Sequence, residues 1–219
     1  MRPPKCITFD CYGTLIDWKS GIETALREAI GPSAPTGPDL MAAYLKAEKE
    51  EESVYAKYRG VLARAAARTA SSLGVSLSDA QAGRFADSVP GWPAFPDSAR
   101  VLRVLGARGY SRFILSNVDN DILESTISTH KLEVDGAVTA EQTRSYKPSP
   151  GHWVEFAART GAGYGEMLHV AQSVYHDIIP AQLLGIRCVW VNRYGDALPD
   201  GARPHYVVGS LEDLLGILP

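Results

Sequence analysis

The sequence has 219 residues, of which 45% are hydrophobic and 21% are charged, and its formal net charge is −3. This composition is typical of a soluble globular protein and gives no electrostatic basis for binding nucleic acid or an anionic membrane surface. No apolar run approaches the ~18 residues of a membrane-spanning helix, so no membrane partner is expected. Three cysteines, Cys6, Cys11 and Cys188, form no disulfide framework and favour a reducing cytoplasm.

The first strand is predicted at Lys5–Asp10, a short apolar run that ends in a turn at Gly13. From about residue 18 to residue 90 the pattern becomes almost wholly helical. The predicted segments are a helix at Gly21–Ile30, a linker from Gly31-Pro32 to Pro38, a long helical stretch from Asp39 toward Leu73-Gly74, a helix that begins near Ser76–Asp79 and runs through Phe85, and a linker at Trp92–Asp97.

Five aromatic residues of this helical region have expected packing roles. Tyr44, Tyr55 and Tyr58 have spacings that suit one helix face, and we expect them to pack between helices. Trp18 and Trp92 stand at its two ends, where we expect them to seal a junction rather than to bind a ligand.

Beyond residue 97 the pattern alternates between helix and strand. The predicted helices are Ser98–Arg108, Asn120–His130, Pro150–Thr160, His176–Leu184 and Leu211–Ile217, and the predicted strands are Ser111–Ser116, Asp135–Thr139, Met167–Ala171, Arg187–Val191 and His205–Val208. Alternating βα units indicate a parallel sheet covered by helices on both faces. The predicted fold is therefore a doubly wound α/β core, residues 1–16 and 97–219, with a helical cap inserted at residues 17–96.

Polar side chains follow four of the predicted strands. Asp10 and Thr14 follow the first strand, and Ser116-Asn117 close the second. Lys147 and Asp177 follow later strands along the chain. Because the carboxyl ends of parallel strands meet at one edge of the sheet, these groups can converge there.

These motifs, in this order, resemble the haloacid dehalogenase superfamily of hydrolases, and within it the type II L-2-haloacid dehalogenases. The resemblance covers the whole chain and rests on Asp-Cys-Tyr-Gly-Thr at residues 10–14, Leu-Ser-Asn at 115–117, Tyr-Lys-Pro at 146–148, and the final acidic loop. The combination is specific for the superfamily and the subgroup but less specific for the substrate.

The resemblance implies covalent catalysis. Asp10 would displace halide from the carbon of a short 2-haloalkanoic acid, and water would then hydrolyse the aspartyl ester. Lys147 would keep Asp10 ionised, and Asp177, with Ser173, would position or activate the water. Thr14, Ser116 and Asn117 would donate hydrogen bonds to the nucleophile or to the substrate carboxylate.

The resemblance also indicates the substrate contacts and the cofactor requirement. Cys11 and Tyr12 adjoin the nucleophile, and Trp153 stands where the family has a tyrosine. Cys11 has no obvious base beside it, so its interpretation as a small packed residue is favoured over a reactive thiol. Tyr12 replaces the aspartate that protonates the leaving group in phosphatase relatives, which fits a halide because it leaves without a proton. By family analogy no metal is needed, and the protein is a candidate homodimer.

Besides Trp153, two departures from the family pattern concern the substrate more than the mechanism. The family's carboxylate- or halide-binding arginine has no counterpart in residues 40–44, Leu-Met-Ala-Ala-Tyr, and Lys46 or Arg59 are candidate substitutes. The last loop reads Ala-Gln-Ser at residues 171–173, with one extra residue before Asp177. Asp177 also suits an N-terminal cap of the next helix, and His176 is a weaker candidate for a general base.

Two other functions stay open at this point. One is a Mg²⁺-dependent phosphatase on the same fold, because fold does not determine function. The other is a catalytically idle ligand-binding protein, which the missing arginine would permit.

Overall fold

The computed structural model describes residues 3–31, 34 and 37–219. Its centre is a six-stranded sheet in which every neighbouring pair is parallel, with the order β3-β2-β1-β4-β5-β6. The strands are β1 (Cys6–Phe9), β2 (Ser111–Ser116), β3 (Gly136–Thr139), β4 (Met167–Ala171), β5 (Arg187–Val191) and β6 (Tyr206–Val208). The predicted doubly wound parallel sheet is confirmed, and the order reverses between β1 and β4, where such sheets bind ligands.

In the described part of the chain, four α-helices follow β1 before the linker that ends at Asp97. They are α1 (Trp18–Ile30), α2 (Pro38–Glu51), α3 (Tyr58–Ser72) and α4 (Asp79–Ser88). The long helical stretch predicted from Asp39 to Gly74 is wrong, because residues 52–57 separate α2 from α3. Tyr44 and Tyr58 therefore lie on different helices, and Tyr55 lies in the loop between them. Of the linker predicted between Gly31 and Pro38, residues 32, 33, 35 and 36 lie outside the described part of the chain.

The remaining helices flank the sheet. They are α5 (Ser98–Ala107), α6 (Asn120–His130), α7 (Ala140–Thr143), α8 (Gly151–Thr160), α9 (Ile179–Leu183) and α10 (Leu211–Ile217). The short α7 was not predicted. The single helix predicted at His176–Leu184 is wrong, because a π-helical turn at Val174–Ile178 precedes α9. Within the described residues, no helix is both long and apolar enough to cross a membrane.

The strand β1 is buried on both faces, and its alternating side chains enter two hydrophobic clusters. Ile7 and Phe9 join the larger cluster, which continues into the helices α1–α4, whereas Cys6 joins a smaller cluster on the opposite face. Thr8 is fully buried on the Cys6 face and faces His169 of β4 in the register. The two clusters together fix the end of β1, where Asp10 follows.

The chain leaves and re-enters the sheet layer through two adjacent linkers. Ile16 forms an antiparallel bridge with Ala94, and the Asp17 backbone N–H donates to the Pro93 carbonyl at 2.8 Å. Gly21 of α1 lies so close to Trp92 that an added Cβ would be 2.3 Å from the indole ring. The helices α1–α4 thus form one inserted unit, and the boundaries at residues 17 and 96 stay a prediction.

A carboxylate from the sheet layer caps a helix of the inserted unit. Asp119, which is buried after β2, accepts hydrogen bonds from the backbone N–H groups of Tyr58 and Arg59, both at 2.9 Å. These two N–H groups belong to the first turn of α3 and have no partner within the helix. Asp119 therefore fixes the start of α3 relative to the sheet.

We expect Asp119→Ala to lower the free energy of unfolding by about 1–2 kcal/mol, because it removes a cap and leaves two helix N–H groups unpaired. Urea denaturation measures the change. Ser78→Ala removes the exposed cap of α4 as a control and should cost about 1 kcal/mol or less. An Asp119→Ala protein as stable as the wild type would contradict this account of the junction.

Candidate active site

A cavity of about 340 Å³ lies between the carboxyl ends of the strands and the inserted helices. The loops after β1, β2, β3 and β4 contribute one wall, and α1, α2, α3 and the Val89–Trp92 segment contribute the other. Its lining residues are Asp10, Tyr12, Trp18, Lys19, Ile22, Leu45, Glu48, Glu52, Tyr58, Val89, Trp92, Ser116, Asn117, Val118, Lys147, Gln172, Ser173, His176 and Asp177. The volume suits a small organic molecule.

The floor of the cavity is built around the Lys147 ammonium. Lys147 Nζ donates to Asp10 Oδ1 at 2.8 Å, to Asp177 Oδ1 at 2.6 Å and to the Leu115 carbonyl at 2.9 Å. Because an ammonium has three N–H donors, these contacts use all of them. All three charged side chains are at least 90% buried, so the predicted convergence of Asp10, Lys147 and Asp177 is confirmed.

Asn117 holds the backbone of Lys147 in place. Its side-chain Oδ1 accepts from the Lys147 N–H at 2.6 Å, and its Nδ2 donates to the Lys147 carbonyl at 3.0 Å. This bidentate contact ties the loop after β3 to the end of β2. Asn117 also borders the cavity, but its amide groups are engaged mainly in positioning Lys147.

Thr14 holds the second oxygen of the Asp10 carboxylate. The Thr14 hydroxyl donates to Asp10 Oδ2 at 2.9 Å and accepts from the Gln172 N–H at 2.9 Å. Gly13 makes the intervening turn with a φ of 104°, a conformation that favours glycine. A Cβ at Gly13 would also approach Trp18 Nε1 to 2.9 Å, so turn geometry and space both require glycine there.

His169 is a site residue that sequence reasoning missed. Its Nε2 lies 2.9 Å from Asp177 Oδ1, and its Nδ1 lies 2.8 Å from the Thr8 hydroxyl. With a proton on Nε2, the ring donates to Asp177 and its Nδ1 accepts from the Thr8 hydroxyl, so both nitrogens have a partner. The available signal was the pair of polar residues, Thr8 and His169, in two otherwise apolar strands.

Burial raises the pKa of Asp10, and the neighbouring Asp177 carboxylate raises it further, whereas Lys147 and Thr14 oppose the rise. Burial also acts to raise the pKa of Asp177, but Lys147 and the hydrogen bond from His169 hold it below the ordinary value. For Lys147, the two carboxylates outweigh the burial that acts to lower its pKa, which is raised. Lys147 and Asp177 thus form the tighter ion pair, and Asp10 carries the additional negative charge.

Tyr12 has no proton to offer a leaving group. The Thr126 hydroxyl donates to the Ile122 carbonyl at 2.8 Å, so the Tyr12 hydroxyl is the donor in its own 2.7 Å contact with Thr126 Oγ1. Burial also raises the pKa of Tyr12 well above its ordinary value. Tyr12 borders the cavity while its hydroxyl donates to Thr126, and its contact with a substrate stays a prediction.

Two polar atoms at the floor have no hydrogen-bond partner among the described residues, Ser116 Oγ and Asp177 Oδ2. Both residues border the cavity and are at most 1% exposed. The backbone beside them is held by His152, whose Nε2 lies 3.0 Å from the Ser116 carbonyl. Burial lowers the pKa of His152 to about 3, so its ring is neutral near pH 7.

Ser173 rather than Asp177 caps the turn after β4. The Ser173 Oγ accepts from the His176 N–H at 3.0 Å and contacts His176 Nδ1 at 3.1 Å. The interpretation of Asp177 as a helix cap is therefore wrong, because its carboxylate faces Lys147 and His169 instead. Gln172, Ser173 and His176 all border the cavity, and burial lowers the pKa of His176.

Two predicted substrate contacts lie outside the cavity. Trp153 is fully buried on α8, packs edge-on against His169 with ring centres 5.3 Å apart, and belongs to the smaller hydrophobic cluster. Cys11 is fully buried in the larger cluster. Neither side chain lines the cavity, so both predictions of direct contact are corrected, and packing is the observed role of each.

The suggested replacements for the missing arginine are also wrong. Arg59 points outward and forms ion pairs with Asp87 and Asp121, and Lys46 is exposed on α2. Lys19 of α1 borders the cavity instead, with its ammonium 3.4 Å from the centre of the Tyr194 ring. The position of each residue on its helix face decides which cationic side chain reaches the cavity, and the sequence alone does not show that position.

The inserted helices add further lining residues that the sequence did not single out or assigned to packing. Trp18, Trp92 and Tyr58 form apolar walls, and Glu48 and Glu52 place two carboxyl groups beside them. In the part of the chain that the structure describes, no three His, Cys, Asp or Glu side chains are grouped so as to hold a metal ion.

The sequence is similar to a family of hydrolases and to several characterised relatives. A sequence model of the haloacid dehalogenase-like hydrolases matches residues 4–185. Haloacetate dehalogenase H-2 of Moraxella sp. (strain B) is 24% identical over 229 residues, which cover 100% of this chain and 99% of the relative. A (S)-2-haloacid dehalogenase of Pseudomonas putida is 25% identical over 225 residues, covering 98% and 96%.

A solved structure shows the same fold. The L-2-haloacid dehalogenase of Xanthobacter autotrophicus with covalently bound chloropropionic acid superposes with a TM-score of 0.86 at 23% identity, and 98% of each chain is covered. The family model spans most of the sequence, and the structure with the same fold covers nearly all of it. The chain belongs to the haloacid dehalogenase-like hydrolase family.

Proposed function

We propose that this protein removes halide from short 2-haloalkanoic acids through an ester intermediate on Asp10. The observation that carries the proposal is the state of Asp10. Lys147 and Thr14 hold its two oxygens, and the neighbouring Tyr12 hydroxyl donates to Thr126 rather than toward a leaving group. Such a carboxylate can act as a nucleophile toward carbon when the leaving group departs as a stable anion. The relatives named for dehalogenation of haloacetate and 2-haloacids support this chemistry.

In the first step a carboxylate oxygen of Asp10 attacks C2 of the substrate from the side opposite the halogen. The C–O bond of the ester forms as the carbon–halogen bond breaks, and the halide leaves with the electron pair. The configuration at C2 is therefore inverted. Ser116 Oγ, unpartnered at the floor of the cavity, is positioned to donate to the substrate carboxylate.

In the second step water attacks the carboxyl carbon of the Asp10 ester. The unpartnered Asp177 Oδ2 accepts a hydrogen bond from that water, and Ser173 borders the same space. The ammonium of Lys147 stabilises the negative charge that develops on the Asp10 oxygen. Water transfers one proton to Asp177, and the departing C2 oxygen takes up that proton as the acyl C–O bond breaks. The second water proton is released when Asp10 returns to a carboxylate. The C2–O bond survives, so an L-2-haloacid gives a D-2-hydroxy acid.

The proposal extends to cofactor, location and assembly. Lys147 supplies the positive charge between Asp10 and Asp177, and we propose that the reaction needs no metal ion. The three cysteines are unpaired and buried, which supports a cytoplasmic location, and a homodimer is the proposed assembly.

Phosphate transfer is the competing chemistry on this fold. It requires a proton donor for a poor oxygen leaving group, and Tyr12 does not provide one. p-Nitrophenyl phosphate turnover with and without Mg²⁺ compares the two reactions directly. Robust Mg²⁺-dependent turnover, with no halide release from 2-haloacids, would replace our proposal with a phosphatase.

We expect Asp10→Ala to abolish halide release from 2-chloropropanoate, with a loss of more than about 10⁴-fold in kcat, because the covalent nucleophile is removed. Ion chromatography of the released chloride measures the reaction. Asp200→Ala, which changes an exposed carboxylate, is the control and should retain wild-type activity. An Asp10→Ala protein with substantial activity would rule out the ester mechanism.

The pH profile follows from the pKa of Asp10. Because this pKa is raised, the nucleophile is protonated at a higher pH than an ordinary aspartate, and kcat/KM should fall with decreasing pH from a point above about 4. Thr14→Val removes a hydrogen bond that favours the ionised form and should move this acidic limb to still higher pH. Thr14→Ser retains the bond and should leave the limb in place.

The same kcat/KM profiles decide the outcome. A limb that stays in place in Thr14→Val, or moves to lower pH, would contradict the assigned role of Thr14.

A further inference from the structure

The cap side of the cavity carries two carboxyl groups, Glu48 and Glu52. They are four residues apart at the end of α2, and both border the same cavity as Asp10. Glu48 Oε1 accepts hydrogen bonds from the Tyr44 hydroxyl at 3.0 Å and from the Tyr58 hydroxyl at 2.7 Å. This arrangement holds Glu48 in a fixed position, which a solvated surface glutamate does not have.

The lining of the cavity has more acidic than basic side chains, which disfavours a ligand with a second anionic group near Glu48 and Glu52. The lining contains four carboxyl groups, Asp10, Glu48, Glu52 and Asp177, and only two cationic side chains among the described residues, Lys19 and Lys147. Lys147 already uses its three N–H donors, and Lys19 lies over the Tyr194 ring. Glu48 and Glu52 form no ion pair among the described residues.

The surroundings of Glu48 and Glu52 shift the pKa values of both carboxyl groups. Burial raises the pKa of Glu52 to about 8, and Glu48 contributes to the rise. Burial also raises the pKa of Glu48, against the hydrogen bonds from Tyr58 and Tyr44. A positive charge in the cavity would favour the ionised form of both groups, so each would bind a cation more strongly than a neutral group.

The floor of the cavity offers hydrogen-bonding groups for the other end of a ligand. Ser116 Oγ and Asp177 Oδ2 are unpartnered there and fully or almost fully buried. The Ser116 hydroxyl can donate to a substrate carboxylate, whereas the wall made by Glu48 and Glu52 offers acceptors. The two ends of the cavity are therefore complementary to a molecule with an acid at one end and a donor at the other.

We propose that Glu48 and Glu52 determine specificity, selecting 2-haloacids whose side chain ends in a cationic hydrogen-bond donor such as an ammonium group. This inference rests on the proposed dehalogenation at Asp10 and names its substrate class. The volume of about 340 Å³ limits the side chain to a few atoms. The same wall disfavours a side chain that ends in a carboxylate.

Three substrates of nearly equal size test the proposal. 2-Chloro-4-aminobutanoate ends in an ammonium, 2-chloropentanoate ends in a methyl group at the same position, and 2-chloropentanedioate ends in a carboxylate. Chloride release is measured by ion chromatography, and enzyme-free samples correct for spontaneous cyclisation of the amine. We expect kcat/KM of the wild type to be at least about tenfold higher for the ammonium substrate than for the methyl substrate, and lowest for the dianion.

Glu48→Gln and Glu52→Gln replace the ionisable carboxyl groups by neutral amides with little change of shape. Each should lower kcat/KM for the ammonium substrate by about tenfold, raise it for the dianion, and leave the methyl substrate within about twofold. Glu50→Gln is the matched control, because Glu50 lies on the same helix, is half exposed, pairs with Arg68 and does not line the cavity. It should leave all three values unchanged.

The outcomes separate the two proposals. If the wild type releases chloride from 2-chloropropanoate but handles the ammonium and methyl substrates equally, the specificity inference is overturned and the dehalogenation stands. Equal losses on all three substrates in Glu48→Gln and Glu52→Gln would also overturn it. If no 2-haloacid releases chloride, the proposed function fails, and the specificity inference fails with it.

Discussion

The buried Lys147 ammonium is the interaction on which the rest of the site depends. Two carboxylates removed from water at this depth would each be costly to keep ionised, and their mutual repulsion would add to the cost. Lys147 Nζ lies within 2.8 Å of an oxygen of each carboxylate and donates its third N–H to the Leu115 carbonyl. Asp177 receives the additional support of His169, so Asp10 is the more weakly stabilised and the more reactive carboxylate.

The sheet supplies this arrangement, and the inserted helices control what reaches it. The parallel strands bring the ends of β1, β2 and β4 to one edge, while Asp119 joins that edge to the start of α3 by two backbone hydrogen bonds. Through α3, Tyr58 is placed against Glu48 in the opposite wall. The chemistry at Asp10 and the polarity of the wall made by Glu48 and Glu52 are thus determined by separate parts of the chain that meet in one cavity.

Much of this could be predicted because it depends on strand ends. Asp10, Lys147 and Asp177 follow apolar runs, and a parallel sheet brings such positions together whatever their separation in sequence. His169 was missed because it lies inside β4 rather than after its end. Trp153 and Cys11 were misplaced because sequence does not separate a buried neighbour from a lining residue. The break at residues 52–57 and the positions of Lys19, Glu48 and Glu52 depend on how the helices pack, which local pattern does not encode.

The central claim is that Asp10 bonds covalently to the substrate and is regenerated by water. A single turnover of 2-chloropropanoate with excess enzyme in heavy-oxygen water tests it, followed by mass spectrometry of the tryptic peptide of residues 6–19. The account predicts that the Asp10 side chain gains one heavy oxygen while the first-turnover product remains unlabelled. Label in the hydroxyl group of the product, with none in that peptide, would mean that water attacks the substrate directly and would contradict the account.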